Sequence, residues 1–490
     1  MYTLPREKQN KIIQKYVFTN IHPIVCCFWI TFQVSLIIYF CIVLSNNINL
    51  DNLMSTISYG FIIAKVSALM ININFLILFL VMNKRILSTI SNISYLLPIN
   101  YHIQYHIYIV YLLLFYSFVH VLAHLYNFYI IDNGTYMSLI NTSAGVTGII
   151  LIILFSIICI FSIKYIRNNY FELFAITHLL YIFIIITIIF HGSFCFLQDI
   201  NENCISGQFW MYIIIPFSLF IIERCYREYN SYQKTIFLDI KKYHGNCNEI
   251  TFYKTFFEYN PGQWVLINCP TISAFQWHPF TITSNPIENG LIQVVIKERG
   301  DWTKQFIKLL DDDIKIKISY PYGYRYDVIT KYRVAVLIAG GIGITAFMGL
   351  IKSLSCSLGH GNKHVYLKKV YLYWTCKDIK DFHCFVDTLK KIKLELDKYG
   401  DFFIIELFIS GLSMSNRLSL YPPVFNYNYG RPNFDTIFSD LCKLHPSNNI
   451  KLFLCGSKKM NDDLLHIVKK YNNTNSNTTQ FIYQPGEIFT

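Results

Sequence analysis

Hydrophobic and polar positions divide the chain into two stretches of different texture. Up to about residue 230 the apolar residues run together in six blocks, at Pro23–Leu44, Ser58–Met82, Ile103–Tyr129, Ala144–Ile163, Phe171–His191 and Phe209–Ile222. A helix rises about 1.5 Å per residue and a bilayer core is about 30 Å thick, so these blocks predict six membrane spans. The first block begins too late and runs too long for a signal peptide, and no small-residue cleavage site follows it, so it is expected to be retained. From Lys234 the pattern changes to short alternating runs such as Lys234–Lys241 and Thr251–Phe257, which predict strands. Further on, strand patterns at Arg333–Ala339, Val370–Trp374 and Lys451–Leu454 alternate with helical ones at Ala346–Leu354 and Lys380–Leu396. That is a βαβ rhythm and predicts a parallel sheet. Tyr471–Gln480 is Asn/Thr-rich and reads as a loop.

Charge sharpens the division. Of 42 Lys+Arg and 30 Asp+Glu, residues 1–230 hold 11 and 8, which leaves 31 and 22 for the rest. This excludes a single soluble domain, a disordered chain and a disulfide-knotted secreted module. The net charge of +12 is spread without a basic stripe, so nucleic acid is not an expected partner. The 14 cysteines do not form a disulfide framework. Arg6, Lys8, Lys11 and Lys15 precede the first span, Lys84 and Arg85 follow the second, Lys164 and Arg167 follow the fourth, and Arg224 and Arg227 follow the sixth. The loops Ser45–Ile57, Ile130–Ser143 and Gly192–Gln208 hold no Lys or Arg. The positive-inside rule then places both termini in the cytosol. Asn133 and Asn141 are glycosylation sequons on the outer side, and Cys195 and Cys204 share an outer loop where a disulfide would persist.

Seven of the 14 histidines fall in the membrane half. Ionisable side chains in lipid are costly and are functional suspects. His106 and His120 lie 14 residues apart on the third span, which puts them on one helix face about 21 Å apart. His178 and His191 lie 13 apart on the fifth span. On an ideal helix they would point about 140° apart, so a π-bulge or kink between Leu179 and Phe190 is expected. A single such histidine is more often structural. Two pairs at matched depth suit two stacked planar cofactors, each held by one histidine from each helix. Bis-imidazole ligation implies low-spin haem b with no open iron position. His22 and His102 belong to the interface. His124, one turn beyond His120, is placed to touch the outer cofactor.

In the second half, Gly300-Asp301-Trp302-Thr303 opens a helix at Lys304–Leu310, a ready anion site with Thr303 as N-cap or phosphate donor. Gly340-Gly341-Ile342-Gly343-Ile344-Thr345 is a glycine-rich strand-to-helix turn, which lets backbone approach a pyrophosphate.

Several motifs in order carry a family resemblance. Ser117-Phe118-Val119-His120-Val121-Leu122-Ala123-His124, Tyr170-Phe171-Glu172, Thr177-His178 and His191-Gly192 match spans three and five of the superoxide-generating NADPH oxidases, kin of ferric reductases. Trp277-His278-Pro279-Phe280-Thr281 and Gly300-Asp301-Trp302-Thr303 resemble their FAD site. Tyr373-Trp374-Thr375-Cys376-Lys377-Asp378, Gly430-Arg431-Pro432-Asn433 and Phe453-Leu454-Cys455-Gly456 resemble their NADPH domain. The resemblance implies a six-helix transmembrane haem bundle (residues 23–229) after a cytosolic segment (1–22). A ferredoxin-reductase-like module follows, made of an FAD-binding β-barrel (230–330) and an NADPH-binding α/β domain (331–490). It implies that His106 and His178 bind the inner haem iron and His120 and His191 the outer. His278, Pro279, Phe280 and Thr281 would contact flavin, and Gly300, Trp302 and Thr303 would face its pyrophosphate. Gly340, Gly341, Gly343 and Thr345 would hold NADPH phosphates. Cys455 and Gly456 would lie beside the nicotinamide–flavin stack, and Phe489 would cover the flavin.

The activity implied is transfer of electrons from cytosolic NADPH through FAD and two b-type haems to oxygen outside, giving superoxide or hydrogen peroxide. The rivals are a ferric-chelate reductase with the same path, and a transporter or channel with an oxidoreductase-like tail. Lys377 and Arg431 are the candidates for a 2′-phosphate, hence NADPH over NADH. Lys65 aligns where the oxidases usually have Arg, through Ala64-Lys65 followed by Asn72 and Asn74. With His124 it is expected to flank the oxygen site, though it could instead snorkel to the headgroups. The membrane is expected to be the plasma membrane or an endomembrane vesicle. The resemblance leaves room for a small membrane subunit and cytosolic activators. The chain departs from the family pattern at Ala346 and Ser457, where Pro is usual, and at Thr490, which follows the usual terminal aromatic. The loop Asn83–Tyr101 lacks the long basic insert of the phagocyte enzymes, and its Leu97-Pro98-Ile99 resembles calcium-regulated and plant members. No EF-hand loop stands in this sequence, so neither group's regulation is carried over.

Overall fold

The computed structural model describes residues 27–43, 55–93, 102–193, 209–243, 246–298, 300–310, 314–323, 325–359, 366–411, 425–474 and 479–485. Described residues up to Arg224, apart from 87–93, form one compact unit, and the remainder form a second. Phe489, Cys195 and Cys204 lie outside the described residues.

The first unit is helical: α1 (Cys27–Val43), α2 (Ser55–Met82), α3 (Lys84–Ile93), α4 (His102–Ile131), α5 (Met137–Asn141), α6 (Ser143–Phe161), α7 (Lys164–Asn169), α8 (Phe171–His178), α9 (Tyr181–His191) and α10 (Phe209–Ser231), with α3 from Leu87 and α10 from Cys225 belonging to the second unit. Phe75, Phe79, Ile109, Leu113, Ile184, Ile185 and Ile213 make its core. Elsewhere the helices expose apolar side chains such as Ile153, Phe183 and Ile215, as lipid contact requires. Two buried polar residues tie helices together. Buried Gln33 donates to Asn74 Oδ1 (3.0 Å) and accepts from the Tyr116 hydroxyl (2.7 Å), joining α1, α2 and α4. Asn83 ends α2: it donates to the Leu219 carbonyl (3.0 Å) and accepts from Ile86 N–H (3.0 Å).

The fifth span is interrupted where the histidine phases require it, but not by a π-bulge. Between α8 and α9 the amides of Leu179, Leu180 and Ile182 each donate to the carbonyl three residues back, at 3.1 Å. Such a turn winds more tightly than 3.6 residues per turn, whereas a π-bulge winds more loosely. The overwinding advances His191 toward the face that His178 occupies.

The second unit begins with two antiparallel three-stranded sheets. Their strands are β1 (Thr235–Tyr243), β2 (Cys247–Lys254), β3 (Trp264–Asn268), β4 (His278–Thr281), β5 (Leu291–Lys297) and β6 (Lys317–Ile318). The orders are β1-β2-β5 and β4-β3-β6, and single pairs at Ile282–Val294 and Trp264–Tyr322 close them toward a barrel. Ile250, Phe252, Val265, Ile267, Ile292 and Val294 fill it. Helix α11 (Asp301–Leu309) plugs the barrel with Trp302 and Phe306. Lys254 is buried, and its ammonium donates to the carbonyls of Asn230 (2.9 Å) and Ile318 (2.6 Å), fixing the end of α10 to the barrel. Burial pulls its pKa down to about 8.

Then come β7 (Val334–Gly340), α12 (Thr345–Gly359), β8 (Lys369–Cys376), α13 (Val386–Leu396), β9 (Phe403–Ile409), β10 (Asn426–Tyr429), α14 (Phe434–Leu444), β11 (Asn449–Cys455), α15 (Lys458–Thr474) and β12 (Gln480–Pro485). The sheet is parallel throughout, ordered β10-β9-β8-β7-β11-β12. The chain leaves β7 in one direction and returns to its other side with β11, so the switch point lies between those strands. Cys247 and Cys384 are joined as a disulfide that ties the barrel to this domain.

Two expectations change here. Tyr471–Gln480, expected as a loop, is helix and strand at its two ends: Tyr471–Thr474 is the last turn of α15 and Gln480 opens β12, while residues 475–478 lie outside the described residues. The aromatic cluster of Phe438 with Phe481 (4.4 Å) and Tyr471 (5.8 Å) holds both ends of that stretch. The single helix expected at Lys380–Leu396 is a 3₁₀ turn, Ile379–Phe382, followed by α13, because Phe382, Cys384 and Phe385 are pulled into the core. Gly341–Gly359 is long and apolar enough to cross a membrane, yet Phe347, Met348, Leu350 and Ile351 pack into the α/β core.

Candidate active site

Helix α4 and the pair α8–α9 bring the four intramembrane histidines together in two couples. His106 faces His178 with ring centroids 6.1 Å apart, and His120 faces His191 at 6.3 Å. Two ring nitrogens each about 2 Å from one metal ion, with the rest of each ring behind, put the centroids roughly 6 Å apart. The donor set therefore fits iron between two imidazoles at both levels. Among the described residues no group of three or more His, Cys, Asp or Glu is arranged for a metal, so the couples stand alone as candidate sites. The couples differ in their support. Nδ1 of His106 and of His178 is buried with no hydrogen-bond partner among the described residues. Nδ1 of His120 meets the Ala64 carbonyl at 3.0 Å and the Ser67 hydroxyl at 3.4 Å, and Nδ1 of His191 meets the Thr147 hydroxyl at 2.9 Å.

His124 stacks edge-on against His120 at 4.6 Å and tilts over Phe128 at 5.9 Å. Lys65 reaches His120 and His124 electrostatically, while its ammonium rests 5.6 Å over the Phe61 ring, one turn nearer the start of α2. Its side chain is exposed on the bundle surface.

In the barrel, His278 opens β4 and stacks on Trp302 at 4.1 Å; Trp302 continues onto Phe306 at 4.8 Å and Phe280 at 6.1 Å. Burial lowers the His278 pKa to about 4, so its ring is neutral at physiological pH. Pro279 and Thr281 lie on the same strand, with Thr281 buried. The helix expected from Lys304 starts three residues earlier, and Gly300 is its N-cap. Thr303 is not the cap: its hydroxyl donates to the Gly300 carbonyl (2.9 Å) and accepts from the Gly300 amide (3.2 Å). The Trp302 side chain points into the barrel, with its Nε1 buried and unpartnered among the described residues. Behind β4, Arg227 lies 4.8 Å over the Trp277 ring.

At the sheet's switch point the two glycine motifs meet. A Cβ on Gly343 would overlap the Cys455 carbonyl and lie 3.3 Å from its Sγ, and a Cβ on Gly340 would lie 3.2 Å from Gly456 Cα. Gly341 has φ +55 and open space above it. Thr345 is buried at the start of α12 and donates to the Ile342 carbonyl (2.9 Å). Trp374 Nε1 donates to the Gly341 carbonyl (2.9 Å) and fixes the turn from below. Ligands of open parallel sheets bind at such crevices beyond the strand ends. Lys377 follows β8, and Arg431 follows β10 two strands away. Both are exposed at the same carboxyl edge.

Three family descriptions match consecutive parts of the chain: a ferric reductase like transmembrane component over residues 66–189, an FAD-binding domain over 233–326, and a ferric reductase NAD binding domain over 332–420 and 408–469. Mouse NADPH oxidase 1 is 27% identical, covering 86% of this chain and 86% of its own length. A superoxide-generating NADPH oxidase heavy chain of Dictyostelium discoideum is 26% identical, over 96% of this chain and 75% of its own. The chain belongs to the NADPH oxidase family. Among solved structures, a ferredoxin NADP⁺ reductase of Neisseria gonorrhoeae with bound FAD and NADP is 13% identical and covers 52% of this chain and 99% of its own, at a TM-score of 0.39.

Within this NADPH oxidase the unusual Ser457 has a local reason. It sits just before α15, and its hydroxyl accepts from the Met460 amide (3.3 Å) as an N-cap. Ala346 is buried in the first turn of α12. Gln33 and Thr147 were not singled out from sequence, and Ala64 and Asn74 served there only to align Lys65. Each is an ordinary residue on an apolar helix, and only packing places it beside another polar group.

Proposed function

We propose that this NADPH oxidase carries electrons from cytosolic NADPH through FAD and two b-type haems to molecular oxygen on the opposite face, releasing superoxide or hydrogen peroxide. The observation that carries the reading is the pair of histidine couples, 6.1 and 6.3 Å between centroids, on the same two spans. His106 and His178 would hold the inner haem, and His120 and His191 the outer. When bound, FAD converts a two-electron hydride into single electrons and the haems relay them across the bilayer.

The chain's own residues do the rest. Gly340, Gly341 and Gly343 keep side chains out of the way of the NADPH phosphates, and Lys377 and Arg431 offer cations to a 2′-phosphate. Cys455 and Gly456 border the nicotinamide position. His278, held neutral by burial against Trp302, offers flavin a hydrogen-bonding ring without a charge. With His120 and His191 holding the outer haem, oxygen would be reduced beside it. His124 bounds that space, and the Lys65 charge stabilises the anion that forms there. The termini are cytosolic, and the membrane is the plasma membrane or an endomembrane vesicle. A small membrane subunit and cytosolic activators are compatible partners.

The test is an acceptor assay on purified protein with NADPH. Oxygen should yield superoxide dismutase-sensitive product, and Lys65→Met and His124→Leu should each reduce that output several-fold with both haem bands intact. Reduction of ferric chelate without superoxide would assign the protein to the reductases instead. Membranes with no reduced-minus-oxidised haem b spectrum would refute the whole path.

A further inference from the structure

The two histidine couples differ in the group behind each imidazole. On α6 the Thr147 hydroxyl lies 2.7 Å from the Ser143 carbonyl and 3.2 Å from that of Ala144, both at positions that only its single proton can serve. With that proton committed to backbone, the 2.9 Å contact to His191 must run from the ring Nδ1–H to the Thr147 oxygen. The same logic applies across the couple. Ser67 spends its proton on Ile63 (2.7 Å) and Ala64 (2.9 Å), and the His120 Nδ1–H points at the Ala64 carbonyl, 3.0 Å away. Both rings are thereby fixed in the tautomer whose Nε2 lone pair is free. His106 and His178 have no such acceptor at Nδ1 among the described residues.

We propose that Thr147 is a positioning residue for the outer haem: it orients His191, selects its Nδ1–H tautomer, and sets the outer haem's reduction potential below that of the inner one. This rests on the two-haem reading above. A ligand imidazole that donates its second N–H to an acceptor becomes a more basic donor to the metal. Stronger donation favours ferric over ferrous iron and lowers the potential. An outer site of lower potential gives a stronger reductant at the face where the electron leaves. Thr147 would act on the haem through its contact with His191.

The experiment is a spectroelectrochemical titration of the full-length protein, wild type beside Thr147→Val and Thr147→Ser, with haem content read separately by pyridine haemochrome. Valine keeps the volume and removes the hydroxyl, and serine restores it. The outer component is identified by its absence in His191→Leu. Expected is a positive shift of the outer midpoint in Thr147→Val, with a changed low-spin electron paramagnetic resonance signal. The inner midpoint should stay put, and Thr147→Ser should behave as wild type. Selective loss of the outer haem in Val but not in Ser would support the same role. Two unmoved midpoints in Thr147→Val at full haem content would overturn the proposal and leave the two-haem reading intact. Loss of the outer haem in both variants would also overturn it, since the hydroxyl would then not be what matters. Wild-type protein without haem b would overturn both.

Discussion

The four paired histidines each stand in an apolar helix, where a lone imidazole has no solvent to satisfy it. Replacing any one leaves its opposite with a single-sided site. His120→Leu or His191→Leu should therefore lose the outer haem, and His106→Leu or His178→Leu the inner, each visible as loss of about half the haem b absorbance. Unchanged low-spin spectra at full haem content in all four variants would defeat the assignment. The pairing within α4 was legible because 14 helical steps return almost to the starting face. A second residue-scale prediction concerns Lys451, almost fully buried on β11 between Tyr332 (5.5 Å) and Phe453 (5.3 Å). Burial lowers its pKa to about 7. The unfolded chain then binds more protons between about pH 7 and its ordinary value near 10.5, so folding is favoured as pH rises through that window. Lys451→Met should raise the melting temperature at pH 7, by an amount corresponding to a few kcal/mol at about 1.4 kcal/mol per pKa unit. The advantage should shrink toward pH 10, as followed by thermal unfolding of the detergent-solubilised protein. An equal advantage at both pH values would show that packing, not charge burial, is responsible. Nothing in the sequence marks Lys451, because alternation along a strand does not say how deeply the sheet will be covered.

At the scale of elements, the glycine-rich turn after β7 works only because β11 ends beside it. Gly343→Ala should place a methyl group into the Cys455 carbonyl. Overpacking of this kind costs roughly 1–3 kcal/mol. NADPH-dependent flavin reduction should fall at least tenfold, while the haem b spectrum should be unaltered, as checked by stopped-flow absorbance. Normal flavin reduction would mean that the close approach is not needed. The sequence carries each motif separately, but their contact depends on the crossover that returns the chain from β10 through α14 to β11. The break in the fifth span was legible from phase: His178 and His191 cannot share a face on an unbroken helix. Its form was not, because the phase says only that the helix must break, and the packing of its neighbours decides how. The helical start and the strand at the end of 471–480 were missed for a similar reason. Asn and Thr favour loops locally, yet the ring contacts of Phe438 with Tyr471 and Phe481 hold those described ends in α15 and β12.

For the whole molecule, the supply of electrons depends on which nucleotide the α/β domain accepts. Lys377 and Arg431 stand at one edge of the sheet on strands separated by β9. Catalytic efficiency should be at least tenfold higher with NADPH than with NADH. Lys377→Ala combined with Arg431→Ala should bring the two together by weakening NADPH alone. Equal efficiencies in wild type would refute the preference, and an equal loss for both nucleotides would show that neither side chain reads the 2′-phosphate. The chain's sequence by itself determined the membrane spans, the parallel strands, the histidine spacings and the glycine turns. Each follows from the period of a local element or from backbone freedom at a single position. Tertiary structure alone decided what stands behind each imidazole, that Trp302 lies against His278, that Thr303 is not a cap and that Lys451 is buried. Those are distances between residues remote in sequence, fixed by packing two or more elements together, and no local pattern of apolar and polar positions encodes them.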